Sequence, residues 1–334
     1  MSVLVKIESK ISHLAKQSAR EIAFMLGTGK QFFRNARGSR MLIYHGICQQ
    51  DHTRFSPIFL TQKTFEQQLK LYKKYFNVVS LSDYYEGRFS EDRFNVCLTF
   101  DDGYANNLKY VLPLLEKYQV PATFFITAIR DTGNDILWND FLWILSKYGP
   151  DTLSFNGEQY TKGRHDKYAD SSGLTLNDHL RNTGFDEKAQ MMKELYPLVP
   201  FREKKEDEDF WQQLTVEDIK TMSVSPWVTI GAHSCYHNDL AKIPPADAVP
   251  ELTRSKKFLE NITGHEVNSF AFPYGSYTPD VVAAAKAAGY TRLLAMDFYN
   301  ADDNRDPALR ERLTVNPFIS PVNQMYATIN RRYD

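Results

Sequence analysis

Two stretches of the chain repeat one pattern, a short apolar run followed by a longer amphipathic one, and nothing else in the sequence restricts the fold as much. Residues 41–47, 78–81, 96–100 and 122–126 are short, rich in β-branched and aromatic side chains, and read as buried strands. Between them, Phe65, Leu69 and Tyr72 share one helical face behind a cap at Thr61 or Thr64, and residues 106–118 form a helix that stops before Val120-Pro121. The pattern resumes with strands at 228–232, 269–272, 292–295 and 313–315 and helices at 249–261 and 280–288, the last closed by Gly289. Such alternation predicts an α/β fold in which right-handed crossovers join parallel strands into a sheet that curls or closes into a barrel. Functional groups then belong at the C-terminal ends of the strands.

One strand end is unusual. The run 96–100 stops at Asp101-Asp102-Gly103, and successive strand side chains point to opposite faces, so the two carboxylates can share a site only where the backbone turns, as Gly103 permits. Adjacent carboxylates need something to offset their repulsion, and a divalent cation would leave one as ligand and the other free as a base. Taken alone, the tripeptide is equally a surface turn. Far down the chain, 228–232 runs into His233-Ser234-Cys235-Tyr236-His237. On a helical turn, positions i and i+4 face the same way, so both imidazoles can reach one ion, and Asp102 completes a set that leaves positions open for water and substrate. The alternative is a pair of solvated histidines flanking a small buried Cys235.

Together these motifs resemble the metal-dependent polysaccharide deacetylases of carbohydrate esterase family 4. The family's T-F-D-D-G is matched by residues 99–103 and its H-S/T-x-x-H by residues 233–237; its R-x-P-Y is matched only in part, with Ala271 in place of the arginine before Phe272, Pro273 and Tyr274. The resemblance covers roughly residues 40–130 and 215–316. It implies a distorted (β/α) barrel of the polysaccharide deacetylase type and hydrolysis of N-acetyl groups from the amino sugars of a polysaccharide or glycan intermediate. It also implies a divalent cation of the zinc type on Asp102, His233 and His237, with Asp101 as base and an oxyanion site at the Tyr274 N–H beside Pro273. The family carries its general-acid histidine in a C-terminal L-x-H strand, yet no histidine follows His265 here. The poly-N-acetylglucosamine deacetylases are circularly permuted relatives with that strand at the N-terminus, and Leu42-Ile43-Tyr44-His45 looks like their arrangement, which makes His45 the expected acid. Arg310 or Arg312, just before the last strand, is the candidate to stand in for the motif arginine.

Outside the barrel, residues 131–213 break the pattern with an aromatic-rich stretch, a hairpin-like 153–160 and charged helices, and read as an insertion that either caps the cleft or elaborates the surface. Trp138 and Trp143 are expected in its core. Residues 1–38 read as a basic amphipathic helix and 39–334 as the barrel; the first 40 residues carry eight Lys and Arg against Glu8 and Glu21, with Leu4, Ile7, Ile11, Leu14, Ile22 and Met25 at helical spacing. That helix packs on the domain, pairs with a second copy as a homodimer, or lies on an anionic membrane surface. Its longest apolar run, 22–26, is too short for a signal peptide or a membrane span, so a cytoplasmic protein is expected, including at the inner membrane surface. With 40 basic and 41 acidic residues there is no global charge to attract nucleic acid. Cys48, Cys97 and Cys235 form no C-x-x-C and give no cysteine zinc site. Two other readings stand beside the enzyme: a catalytically impaired glycan-binding barrel, suggested by Ala271, and a hydrolase of non-sugar C–N bonds.

Overall fold

The structure, a computed structural model, describes residues 3–333, with side chains from His13 onward except at residue 165. Nine strands form one parallel sheet: β1 (Ser39–Tyr44), β2 (Phe76–Val79), β3 (Phe94–Phe100), β4 (Ala122–Ile126), β5 (Val228–Ala232), β6 (Ser269–Ala271), β7 (Arg292–Leu294), β8 (Leu309–Arg310) and β9 (Leu313–Thr314). In space they run β8, β7, β6, β5, β4, β3, β1, β9, and β2 lies off this path against β3. β3 pairs with β1 along nearly its whole length, so its other edge is divided, Phe94 to Cys97 facing β2 and Leu98 to Phe100 facing β4. That split edge is the distortion in the barrel. The outermost strands β8 and β9 are consecutive in the chain, joined by Glu311 and Arg312 alone, so a two-residue link brings the two ends of the curled sheet together.

The N-terminal strand therefore lies between β3 and the last strand of the chain, the permuted placement expected from residues 42–45. β1 stops at Tyr44, short of the predicted Ile47, because Ile47–Cys48 leaves the sheet to pair with Leu60–Thr61. All seven residues of β3 are buried, as expected of a parallel strand covered on both faces. Helices α2 (Gln62–Tyr75), α7 (Pro245–Thr263), α8 (Pro279–Ala287) and α9 (Pro321–Asn330) pack outside the sheet. Of the two candidate caps on α2, Thr61 is the one used: its hydroxyl accepts the Thr64 N–H at 3.2 Å. The helix expected over 106–118 opens with a wide π turn, Asn107–Val111, before α3 (Leu112–Tyr118), whose Pro113 cannot donate to the ladder.

Helices α4 (Trp138–Tyr148), α5 (Leu176–Arg181) and α6 (Phe185–Leu195), with an antiparallel sheet of Thr152–Phe155, Glu158–Lys162 and Tyr168–Ala169, surround a second apolar cluster. Phe55, Phe59 and Tyr104 from the barrel loops join that cluster, which ties the segment to the strand ends above it. Trp138 is fully buried there, as expected; Trp143 is not, and borders a cavity. The C-terminal half of α1 (Val3–Met25) lies on α9, where the Asn323 amide donates to Glu21 Oε1 at 2.7 Å, and Phe24 packs on Tyr75 at the end of α2. Its outer face leaves Leu14, Ile22 and Met25 exposed. The side chains of Leu4, Lys6, Ile7, Lys10 and Ile11 lie outside the described residues. Among the described residues, no helix is long and apolar enough to cross a membrane.

Candidate active site

The β1–β3 register sets Tyr44 opposite Phe100, so the next residues, His45 and Asp101, leave neighbouring strand ends side by side, and the Asp101 N–H donates to Tyr44 O at 2.9 Å. The backbone then passes through two left-handed residues, Asp102 at φ 77° and Gly103 at φ 86°. For an aspartate this conformation costs of order 1–2 kcal/mol. It turns Asp102 back to the side Asp101 already faces, and both line one cavity of about 320 Å³. A Cβ on Gly103 would lie 2.9 Å from Ile126 Cγ2, so packing as well as torsion requires glycine there.

Asp102, His233 and His237 are buried, and their ligand atoms all lie within 4.8 Å of one another. His233 Nδ1–H donates to the Ala271 carbonyl at 2.7 Å, which leaves a lone pair on Nε2. That nitrogen faces Asp102 Oδ1 at 3.3 Å, and His237 Nε2 approaches the same oxygen at 3.2 Å. Asp102 Oδ1 has no hydrogen-bond partner, although it is buried. A buried carboxylate oxygen without a hydrogen-bond partner, converging with two imidazole nitrogens, fits a divalent metal of the kind that takes imidazole and carboxylate. Burial alone would raise Asp102, but the imidazoles of His237 and His233 outweigh it and hold the carboxyl well below the ordinary range. Burial pushes His237 down, favouring the neutral ring a metal needs.

The sequence places the two histidines on a helical turn; the structure places them on a loop. Ser234 and His237 both adopt left-handed backbone, at φ 63° and 55°, and the Ser234 hydroxyl accepts the His237 N–H at 3.1 Å. The bracing comes from elsewhere. Glu251 of α7 accepts the N–H groups of Cys235 (3.1 Å) and Tyr236 (3.2 Å) on one oxygen and the Asn238 amide (2.7 Å) on the other. Lys188 of α6, also buried, donates to Asn238 and to Thr183 O, and burial pulls its ammonium down to about 8. Trp138 Nε1–H donates to His237 O at 3.1 Å. The 131–213 segment thus reaches the histidine loop directly. Glu251 was legible in principle: it shares the buried stripe of α7 with Ala248, Leu252, Ser255 and Leu259, where a carboxylate is out of place unless it has partners.

The guanidinium missing at Ala271 comes from Arg312, in the link between β8 and β9. Its two terminal nitrogens donate to the two oxygens of Asp101, each at 2.8 Å, and Nη1 also reaches Thr99 Oγ1 at 3.0 Å. Both partners are buried. Burial alone would raise Asp101, yet Arg312 overrides it and keeps the carboxyl below its usual range. Arg310, the other candidate, points elsewhere, donating to Asp306 O and lying 5.1 Å from the Tyr85 ring centre. His45 lines the same cavity as Asp101, Asp102, His233 and His237. Tyr274 borders that cavity too, in a left-handed turn (φ 60°) opened by Pro273, with its ring 4.7 Å from His237 and 4.3 Å from the Arg181 guanidinium.

Asp140 is a buried carboxyl near Asp102 that the sequence did not single out. Burial and then the charge of Asp102 push it well above the ordinary range, while the Tyr104 hydroxyl donates to its Oδ1 at 2.9 Å.

The sequence profile of the polysaccharide deacetylase family matches residues 90–293, and the chain belongs to that family. Among solved structures it is similar to the Streptococcus pyogenes deacetylase PplD in complex with acetate, at 17% identity over 87% of this chain and 97% of that one, with a TM-score of 0.55. It is also similar to the putative polysaccharide deacetylase BA0330 from Bacillus anthracis (20% identity, 87% and 68%, TM-score 0.53) and to IcaB from Ammonifex degensii (18%, 88% and 98%, TM-score 0.52). At these identities the likeness concerns the fold. Comparison with curated proteins finds no match.

Proposed function

We propose that the protein hydrolyses N-acetyl groups from amino-sugar residues of a polysaccharide or glycan intermediate, releasing acetate and a free amine, with a bound divalent cation. The observation that carries this reading is the convergence of Asp102 Oδ1 and the Nε2 atoms of two buried imidazoles, next to an aspartate held by Arg312. Asp102, His233 and His237 would hold the ion, and zinc suits two nitrogens and a carboxylate oxygen. Such an ion supplies Lewis-acid polarisation of the acetyl oxygen and makes a water more acidic.

The chain's own groups do the rest. Asp101, kept ionised by Arg312, takes the proton of the attacking water while the guanidinium fixes the carboxylate plane. The Tyr274 N–H donates to the oxygen that gains charge as the carbonyl carbon becomes tetrahedral, and Pro273 sets the turn that aims it. His45 gives a proton to the amine nitrogen as the C–N bond breaks, so water's hydroxyl ends in acetate and the sugar leaves as a neutral amine.

A catalytically impaired barrel loses its motivation once Arg312 supplies the charge absent at Ala271. A hydrolase of non-sugar C–N bonds would use the same donors, and substrates separate the two. Acetate release from a panel of N-acetylated saccharides, suppressed by chelator, is the expected result; turnover of non-sugar amides with no acetate from any saccharide would favour the rival. His45→Ala is expected to lower acetate release by roughly 100-fold or more with metal content unchanged, the scale of losing a general acid. Wild-type turnover by that variant across pH would remove His45 from the mechanism.

A further inference from the structure

Helix α1 meets the barrel with its polar side, and we infer that its apolar side lies on an anionic membrane surface. On the side facing α9, the Asn323 amide donates to Gln17 O at 3.3 Å and to Glu21 Oε1 at 2.7 Å, and the Arg20 guanidinium lies 5.2 Å from the Tyr326 ring centre. Phe24 adds one ring to this inner side, packed on Phe33 and Tyr75. The larger aliphatic side chains point the other way: Leu14, Ile22, Met25 and Leu26 are between 52% and 77% exposed. At 3.6 residues per turn these four span an arc of roughly 120°, the width of the stripe that an amphipathic helix ordinarily buries. In the sequence, Leu4, Ile7 and Ile11 precede Leu14 at three- and four-residue spacing.

A helix that served only to complete the barrel would turn that stripe inward and leave its polar residues in water. The reversed arrangement calls for a second apolar medium outside the protein, and charge identifies it. Residues 13–40 hold six Lys and Arg against a single acidic residue, Glu21, which is turned inward to Asn323. Lys16, Arg34 and Arg37 are exposed. Two copies of the chain joined on this face would bring these basic segments together, which like-charge repulsion opposes. A bilayer with anionic headgroups offsets the charge, and its acyl boundary takes up the apolar stripe. The formal net charge of the whole chain is -1, so this attraction belongs to the N-terminal segment and not to the molecule at large. Among the described residues, none of α1 lines the catalytic cavity, so attachment leaves the reacting groups untouched.

The test is flotation of the full chain with lipid vesicles at low salt. Co-flotation is expected with phosphatidylcholine vesicles that contain phosphatidylglycerol and not with phosphatidylcholine alone, and it should weaken as ionic strength rises toward about 0.5 M. Ile22→Glu combined with Met25→Glu is expected to lower the partition coefficient by roughly 100-fold, the combined scale of two apolar side chains kept in water. Both positions are exposed, so thermal unfolding of this variant should match wild type. Lys16→Glu combined with Arg34→Glu should weaken binding to the anionic vesicles by roughly tenfold or more. Absence of binding to anionic vesicles at low salt would overturn the inference, as would binding that the Ile22 and Met25 substitutions leave unchanged. A dimer in solution that those substitutions dissociate, with no uptake by vesicles, would give the face to a second copy of the chain instead.

Discussion

Arg312→Met is expected to lower the unfolding free energy by about 3–5 kcal/mol at neutral pH, because it leaves the Asp101 carboxylate buried without its counter-charge. The sign of the pH dependence follows. With Arg312 present, the folded pKa of Asp101 is depressed, so the pair's contribution is present above the unfolded carboxylate pKa and is lost as pH falls through the folded value. Without Arg312, burial is opposed only by His233 and His45, so the folded pKa rises and acidification costs the variant less than it costs the wild type. The deficit of Arg312→Met should therefore shrink as pH is lowered, and the acid limb of its pH–activity profile should move to higher pH. Denaturant unfolding at several pH values checks the first point and a rate profile the second. A loss under about 1 kcal/mol that does not vary with pH would show that the two groups are not coupled as the geometry implies.

Asp101→Asn is expected to reduce acetate release by roughly 100-fold or more, since an amide cannot take the water's proton. Zinc affinity should stay close to wild type, because the carboxylate facing both imidazoles belongs to Asp102. Turnover and metal titration on one preparation separate the roles of the adjacent aspartates. Full turnover by Asp101→Asn, or loss of the metal with the activity, would mean that the two roles are assigned to the wrong residues.

What the sequence disclosed was local. The strand pattern gave parallel strands because burial on both faces leaves continuous apolar runs, as at residues 94–100. Asp101, Asp102, His233 and His237 stood out because a strand seldom ends in groups so costly to bury. Their side chains do meet in one cavity, through the register of β1, β3, β4 and β5. What stayed hidden depends on distant pairs. Arg310 and Arg312 were equal candidates, and only the two-residue link between the outermost strands decides which one points inward. The histidine spacing looked helical, but i to i+4 proximity arises here from two left-handed residues and a Glu251 brace contributed from α7. Trp143 read as core because composition cannot tell an aromatic that fills a cluster from one that borders a cavity.

The central claim, catalysis by a cation held on Asp102, His233 and His237, is tested most directly by zinc titration of chelator-stripped protein with acetate release from an N-acetylglucosamine oligomer followed in parallel. The account predicts an inactive stripped protein whose activity rises in proportion to added zinc and levels off at one ion per chain, and a His237→Ala protein that shows neither tight uptake nor recovery. Full activity in the stripped protein, or undiminished zinc uptake by His237→Ala, would contradict it.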